Sequence, residues 1–331
     1  MNHHKKLSII IPFYGQTVEE LAVPLQSINR QINIDFNEID VHLVNDAGQP
    51  IDPEQLKVFS NLDLHYHELT ENVGPGLARQ YGIDHSDSEW IMFVDADDEL
   101  NGETALAYFY RVEKFDSQAQ VLMSDFIIET KDVNKQLIRN IYSYQSDYGS
   151  GTVWAKWFRR DFINSIHLRF PEKSRALEDT YFSDIAMLMG DKIIGFNGAQ
   201  TYLYHYRENS IIHNDGAMVS FDVTSCMVKE RLELEFLLEY APEKFERRMD
   251  ISLVGLYFYR QIYPTVDETA FISELSKYAQ EFLPIYKIKF AKLSQLVKTE
   301  SLQNGSLFFG LEISGFKAFL DLIKQQTKRD K

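Results

Sequence analysis

Residues 88–100 read SEWIMFVDADDEL: a continuous apolar run that ends in four acids among five positions, Asp95, Asp97, Asp98 and Glu99. A run this short, with no helical spacing, is expected of a strand buried on both faces. Crowded carboxylates resist ionising beside one another, so a positive partner is expected among them. Alternate residues at a strand end point to one side. Asp95 and Asp97 can therefore face a single ion, with Ala96 leaving room between them.

Outward from this stretch the pattern alternates. KLSIIIPFY (6–14) and IDVHLVNDAG (39–48) are further buried strands, and LDLHYHEL (62–69) alternates like a third. TVEELAVPLQSINRQ (17–31) and PGLARQYGIDHS (75–86) have helical spacing, although Pro24 should break or kink the first. EWIMFVDA is then the fourth strand. Such alternation predicts an α/β fold, a Rossmann-like and mostly parallel sheet with helices on both faces. Ligands of such sheets bind outside the carboxyl ends of the strands, which places the loops after Ile11, Val44 and Val94 in one crevice. Residues 126–215 are mixed and aromatic. From 216 to 331 the spacing is helical, with breaks at Pro242 and Pro264 and an interruption at TESLQNGS (299–306). The expected division is a sheet domain over 1–215 and a helical region over 216–331.

The chain has 331 residues, 44% hydrophobic and 25% charged, as expected of a globular protein. Its net charge of −15 excludes nucleic acid as a partner class. With one cysteine, Cys226, there is neither an internal disulfide nor a Cys-based metal cluster. The apolar stretch at the start is too short for a signal peptide or membrane span, so the default expectation is cytoplasmic.

Alone, the acids admit several readings. An EF-hand loop needs glycine at its sixth position, where Leu100 stands, and helices on both sides. A phosphatase of the haloacid dehalogenase type has Asp-x-Asp-x-Thr/Val, and Glu99 holds the last position. An Asp-x-Asp site for a hard divalent cation bridging a diphosphate fits the strand end. The bland alternative is an acidic turn, with Asp98 and Glu99 capping the next helix.

SIIIPFYG, VNDAG, TENVGPGLARQYGI and FVDADDEL follow one another in an order that resembles the amino-terminal half of family-2 glycosyltransferases, enzymes of the GT-A fold. TVWAKWFRRDFINSIHLRFPEKSRALEDTYFSDIAML (152–188) is similar to that family's acceptor-side segment. The resemblance spans roughly residues 7–215. It implies an inverting, metal-dependent transfer from a nucleotide-sugar, a UDP-sugar by preference, to a polysaccharide, teichoic-acid or lipid-linked acceptor. It places the base of the donor near Pro12, Phe13, Tyr14 and Asp46, although Gly15 and Ala47-Gly48 depart from the family's usual residues there. Asn72, Arg79, Asp95 and Ala96 fall to the rest of the donor. A divalent metal, Mn²⁺ or Mg²⁺, falls to Asp97 with Asp95. Asp179 is the implied general base, with Glu178 as its support or alternate. YLYHYRENSIIHN (202–214) corresponds to a mobile loop completing the metal or diphosphate site, from which His205, Arg207 and His213 are the candidates. Outside the enzyme classes, a non-catalytic scaffold with a degenerate site is the competing reading.

Residues 286–331 carry nine Lys/Arg against four Asp/Glu, leaving −20 on the remainder. Within them Phe316, Phe319, Leu320 and Ile323 form one helical stripe. Either the stripe packs against the preceding helices, or this basic helix makes peripheral contact with the inner face of the membrane.

Overall fold

The computed structural model describes residues 5–116, 118–145, 151–172, 176–207, 222–303 and 306–327. Two compact units follow one another, Met1–Arg207 and Glu208–Lys331. The boundary expected near 215 lies in a segment outside the described residues.

In the first unit, β1 (Lys5–Phe13), β2 (Ile39–Asn45), β3 (Leu64–Glu68) and β4 (Ser88–Phe93) pair in parallel in the order β3-β2-β1-β4. The sheet continues as β8 (Lys156–Arg159), β6 (Val121–Lys131), β9 (Ile193–Tyr204) and β5 (Glu99–Leu100), with β7 (Leu137–Tyr142) beside β6. The mixed, aromatic part of the sequence supplies this second half. Here β8 runs antiparallel to both β4 and β6, while β6 and β9 are parallel. The parallel half thus ends at β4, the strand that carries the acids.

Helix α1 (Val18–Asn29) begins with a reciprocal cap in which Thr17 and Glu20 bond each other's backbone N–H. Its Leu21, Leu25 and Ile28 enter the core that also holds Ile9 and Ile11. Helix α2 (Pro75–Asp84) lies on the opposite face, where a Cβ at Gly82 would come within 2.5 Å of Ile10. Alternation along β1 thus sends Ile10 one way and Ile9 and Ile11 the other. Helices α3 (Ala105–Glu113), α4 (Arg160–Ser165) and α5 (Glu178–Met189) follow in this unit.

Pro24 does not break α1, contrary to expectation: it is buried inside one continuous helix. Leu21 and Leu25, fully buried on either side of it, outweigh the one hydrogen bond that proline forfeits.

The second unit comprises α6 (Val223–Tyr240), α7 (Pro242–Ile262), α8 (Glu268–Phe282), α9 (Phe290–Leu302) and α10 (Phe316–Gln326). Its core includes the whole stripe Phe316, Phe319, Leu320 and Ile323, with Phe316 and Phe319 set against the Tyr257 ring at 5.1 and 5.7 Å. The stripe is therefore internal, as the packing alternative expects. Lys328, Arg329 and Lys331 lie outside the described residues. Among the described residues no helix is long and apolar enough to cross a membrane.

Candidate active site

The loops after β1, β2 and β4 meet at the carboxyl end of the parallel strands. The Asp46 N–H donates to the Phe13 carbonyl at 2.8 Å, joining the first two. A Cβ at Gly48 would come within 2.5 Å of the Gly15 backbone nitrogen, so glycine is required where these loops touch. That contact gives Gly48 a structural reason, while Gly15 owes its glycine to a φ of 81°. Pro12 and Phe13 are buried, whereas the Tyr14 ring stands 61% exposed beyond the strand. Asp46 is buried, and its two carboxylate oxygens accept from the backbone N–H groups of Val73 and Gly74 at 2.7 and 2.9 Å. The Asn72 amide donates to the Asp46 carbonyl at 3.3 Å. Asp46 thus anchors the loop leading into α2, and its carboxylate does not stand open beside Tyr14.

From α2, Arg79 reaches two motifs far apart in the chain. Its Nη2 lies 2.6 Å from Asp95 Oδ1 and its Nη1 3.1 Å from Glu178 Oε1. Burial works against the guanidinium charge, but Asp95, Glu178 and Asp179 hold it firmly. A Cβ at Gly76 would come within 2.5 Å of the Glu178 side chain, so this glycine lets α5 close on α2. Leu177, before α5, has φ 62° and ψ 20°. A left-handed non-glycine residue stores strain, and here it aims the two acids that follow. Burial, then the charge of Asp179, pushes Glu178 up to about 7; burial also raises Asp179, against the pull of Arg79. The Thr180 N–H donates to Asp179 Oδ1 at 2.7 Å. Beneath them Lys156 is buried and desolvated down to about 7.

The acid loop is held by β9. The Tyr202 hydroxyl accepts from the Asp95 N–H at 3.1 Å and donates to Asp98 Oδ2 at 2.8 Å. Asp98 also accepts from the His205 N–H at 3.0 Å, and burial with Asp95 and Asp97 nearby pushes its carboxyl well up. Glu99 lies in β5, paired with Leu203, and takes Arg30 at 3.0 Å. Neither acid caps a helix, since α3 starts only at Ala105. The capping expectation is therefore corrected: both acids fasten the loop to its neighbours.

Asp97 keeps a partly exposed carboxylate, raised by burial and by Asp95. Arg207 donates from Nη2 to the Asp97 carbonyl at 2.9 Å, with Nε 3.6 Å from Asp97 Oδ2. His205 is turned elsewhere: Nδ1 lies 2.8 Å from Glu129 and Nε2 3.4 Å from Glu99. Both ring nitrogens face carboxylates, whereas the Asp97 carboxylate has Arg207 as its partner. His213 lies outside the described residues. Tyr202, Glu129, Gly76 and Lys156 escaped the sequence reading. Tyr202 sits in an aromatic run with nothing local to single it out, and Glu129 meets His205 only across paired strands.

Residues 8–170 match the family described as Glycosyl transferase family 2. The chain is 24% identical over 261 residues to EpsH of Bacillus subtilis, covering 72% of each chain. It is 24% identical over 357 residues to the teichoic acid poly(glycerol phosphate) polymerase of Staphylococcus epidermidis, covering 98% of this chain but 46% of that one. The chain thus corresponds to less than half of the polymerase. The crystal structure of Staphylococcus aureus TarS 1–349 in complex with UDP-GlcNAc superposes with a TM-score of 0.67 at 18% identity, covering 98% of this chain and 90% of that one. That likeness shows the fold, GT-A.

Proposed function

Because the chain belongs to glycosyl transferase family 2, we propose that this glycosyltransferase inverts the sugar it moves, from a UDP-sugar to a hydroxyl of a teichoic-acid or related surface polysaccharide. One observation carries the reading: Arg79 holds Asp95 of the donor-side loop and Glu178 of the acceptor-side pair on one guanidinium. Two motifs of different expected roles thereby share one crevice. The polymer class follows the S. epidermidis polymerase, and the UDP-sugar class follows the ligand of TarS.

The residues fit a divalent ion. Asp97 offers hard oxygen atoms, and burial and then Asp95 raise its carboxyl against the pull of Arg207. Asp97, with Asp95 beside it, would hold Mn²⁺ or Mg²⁺, which supplies Lewis-acid stabilisation of a diphosphate leaving group. Tyr14 offers an exposed ring for the base to stack on. Arg207 guards the diphosphate side of Asp97, and Asn72 continues the loop that Asp46 fixes. Asp179 takes the acceptor proton as the hydroxyl oxygen bonds to the anomeric carbon. The bond to UDP breaks on the opposite face, and UDP departs with the electron pair. A general base works best with its pKa near the operating pH, and burial moves this acid pair that way.

The test is a panel of nucleotide-sugars with Mn²⁺, with and without polyol-phosphate polymer, reading UDP release and the anomeric configuration of the product by NMR. Release from UDP-sugars with inversion is expected. A retained configuration, or turnover indifferent to chelator, would overturn the corresponding part of the reading. The phosphatase expectation predicts release of inorganic phosphate, and the family match speaks against it.

A further inference from the structure

On the α2 face of the sheet, away from the acid loop, β2 and β3 carry a second polar cluster. Asp40 and His42 are two apart on β2 and point to the same side. Ser8 is registered against Asp40, and His65 against His42. Asp40 and His42 are buried; His65 stands at the rim, its ring stacked on His42 at 4.9 Å. Asp40, His42 and His65 each bring one ligand atom within 4.8 Å of the others.

The hydrogen bonding of this cluster is incomplete in one direction. His42 Nδ1 lies 3.0 Å from His67 Nε2. With the His42 proton on Nδ1, the Nε2 lone pair faces Asp40 Oδ2 at 3.5 Å. Two acceptors then oppose one another inside the protein. Asp40 Oδ1 and His42 Nε2 are both sealed from solvent without a hydrogen-bond partner. A cation among these atoms would satisfy all of them.

We propose that Asp40, His42 and His65 form a second divalent-cation site, of the zinc class, that staples β2 to the edge strand β3. Two imidazoles and a carboxylate suit a borderline ion, with water as fourth ligand, better than the hard ions expected at Asp97. His67 fixes the His42 tautomer, and Asp63, 3.4 Å from His65 Nε2, is placed to orient the outer ring. The exposed His65 gives the ion a way in. β3 leads into the Asn72 loop, with the Leu69 N–H on the Asn45 carbonyl at 2.9 Å, so the staple would steady the approach to the donor site.

The test uses the full chain with His3 and His4 replaced by alanine, since they are further imidazoles close in sequence to β1. After chelator treatment it is titrated with ZnCl₂, reading bound zinc by calorimetry and elemental analysis, Tm by calorimetry, and Co²⁺ absorption for tetrahedral geometry. One equivalent of zinc is expected that survives Asp97→Asn, raises Tm, and gives a tetrahedral Co²⁺ spectrum. His65→Gln, at an exposed position, should fold as the parent does and weaken zinc binding by about 10²-fold or more; Asp40→Asn should do the same. Absence of this equivalent, its loss with Asp97→Asn, or undiminished binding in both His65→Gln and Asp40→Asn would overturn the proposal. In those cases a proton on His42 joins the pair instead.

Discussion

In the helical unit, Glu230 and Glu233 are buried one turn apart on α6, with Arg248 2.7 Å from Glu230 and Lys229 2.7 Å from Glu233. Burial opposes the charge on Glu230, but Arg248 and Lys229 overcome it and draw the carboxyl down to about 2. In the sheet unit, Asp97, Asp98, Glu178 and Asp179 are all raised. Arg79 and Arg207 pair with three acids there, Asp95, Glu178 and Asp97, and Asp98 is held, among the described residues, by a tyrosine hydroxyl and a backbone N–H. Where acids serve only packing, the chain supplies its own cations. Where it leaves them under-compensated, a ligand is the natural source of the missing charge.

The largest expected effect breaks the sheet-unit side of this contrast. Asp97→Asn should reduce Mn²⁺-dependent kcat/KM by about 10³-fold, the rate equivalent of the several kcal/mol a metal contributes. Calorimetry should show UDP binding that no longer depends on Mn²⁺, and unchanged metal-dependent affinity would remove Asp97 from the site. Next comes Arg79→Met, which leaves Asp95 and Glu178 without their shared cation. A loss of about 3–5 kcal/mol in urea unfolding is expected, together with loss of transfer.

Glu233→Gln probes the self-sufficient unit. Leaving Lys229 and Arg248 with Glu230 alone should destabilise by about 3 kcal/mol, while UDP affinity measured on the folded protein stays the same. A fall in UDP affinity equal to that of Asp97→Asn would erase the contrast. The smallest effect sharpens it. Glu178 titrates near 7 in the folded protein against an ordinary 4.5, so between these values the native state holds more protons than the unfolded one. Stability contributed at this position therefore falls as pH rises from 4.5 to 7. Glu178→Gln should flatten that fall in Tm and, by removing a like charge, move the acidic limb of kcat down by about one pH unit. A collapse of kcat deeper than that of Asp179→Asn would argue that Glu178, not Asp179, is the base.

The parallel strands and α2 were legible because their signals are local: β-branched runs, Pro12, and the glycines before Pro75. The acid loop was legible as chemistry but not as structure. Asp98 and Glu99 resemble helix-capping acids, and only β9, about a hundred residues later, turns them inward. The pairing of His205 with Glu129 was hidden for the same reason, since Glu129 lies on a strand whose register no local pattern reveals. Pro24 was misread because propensity yields to burial. The cluster at Asp40, His42 and His65 went unremarked because its members belong to two strands and join only through pairing.

The pairing of β5 with β9, and the Tyr202 hydroxyl between Asp95 and Asp98, also set an order of events during synthesis. Strands β1 to β4 can pair as soon as residue 93 has emerged, whereas Asp98 waits for a partner 104 positions downstream. Contacts this distant in sequence form late, after the cost of closing the intervening loop has been met. A nascent chain stalled before residue 200 would therefore carry the parallel half of the sheet and an unformed acid loop. The acid loop is therefore expected to take its final form only once β9 has emerged.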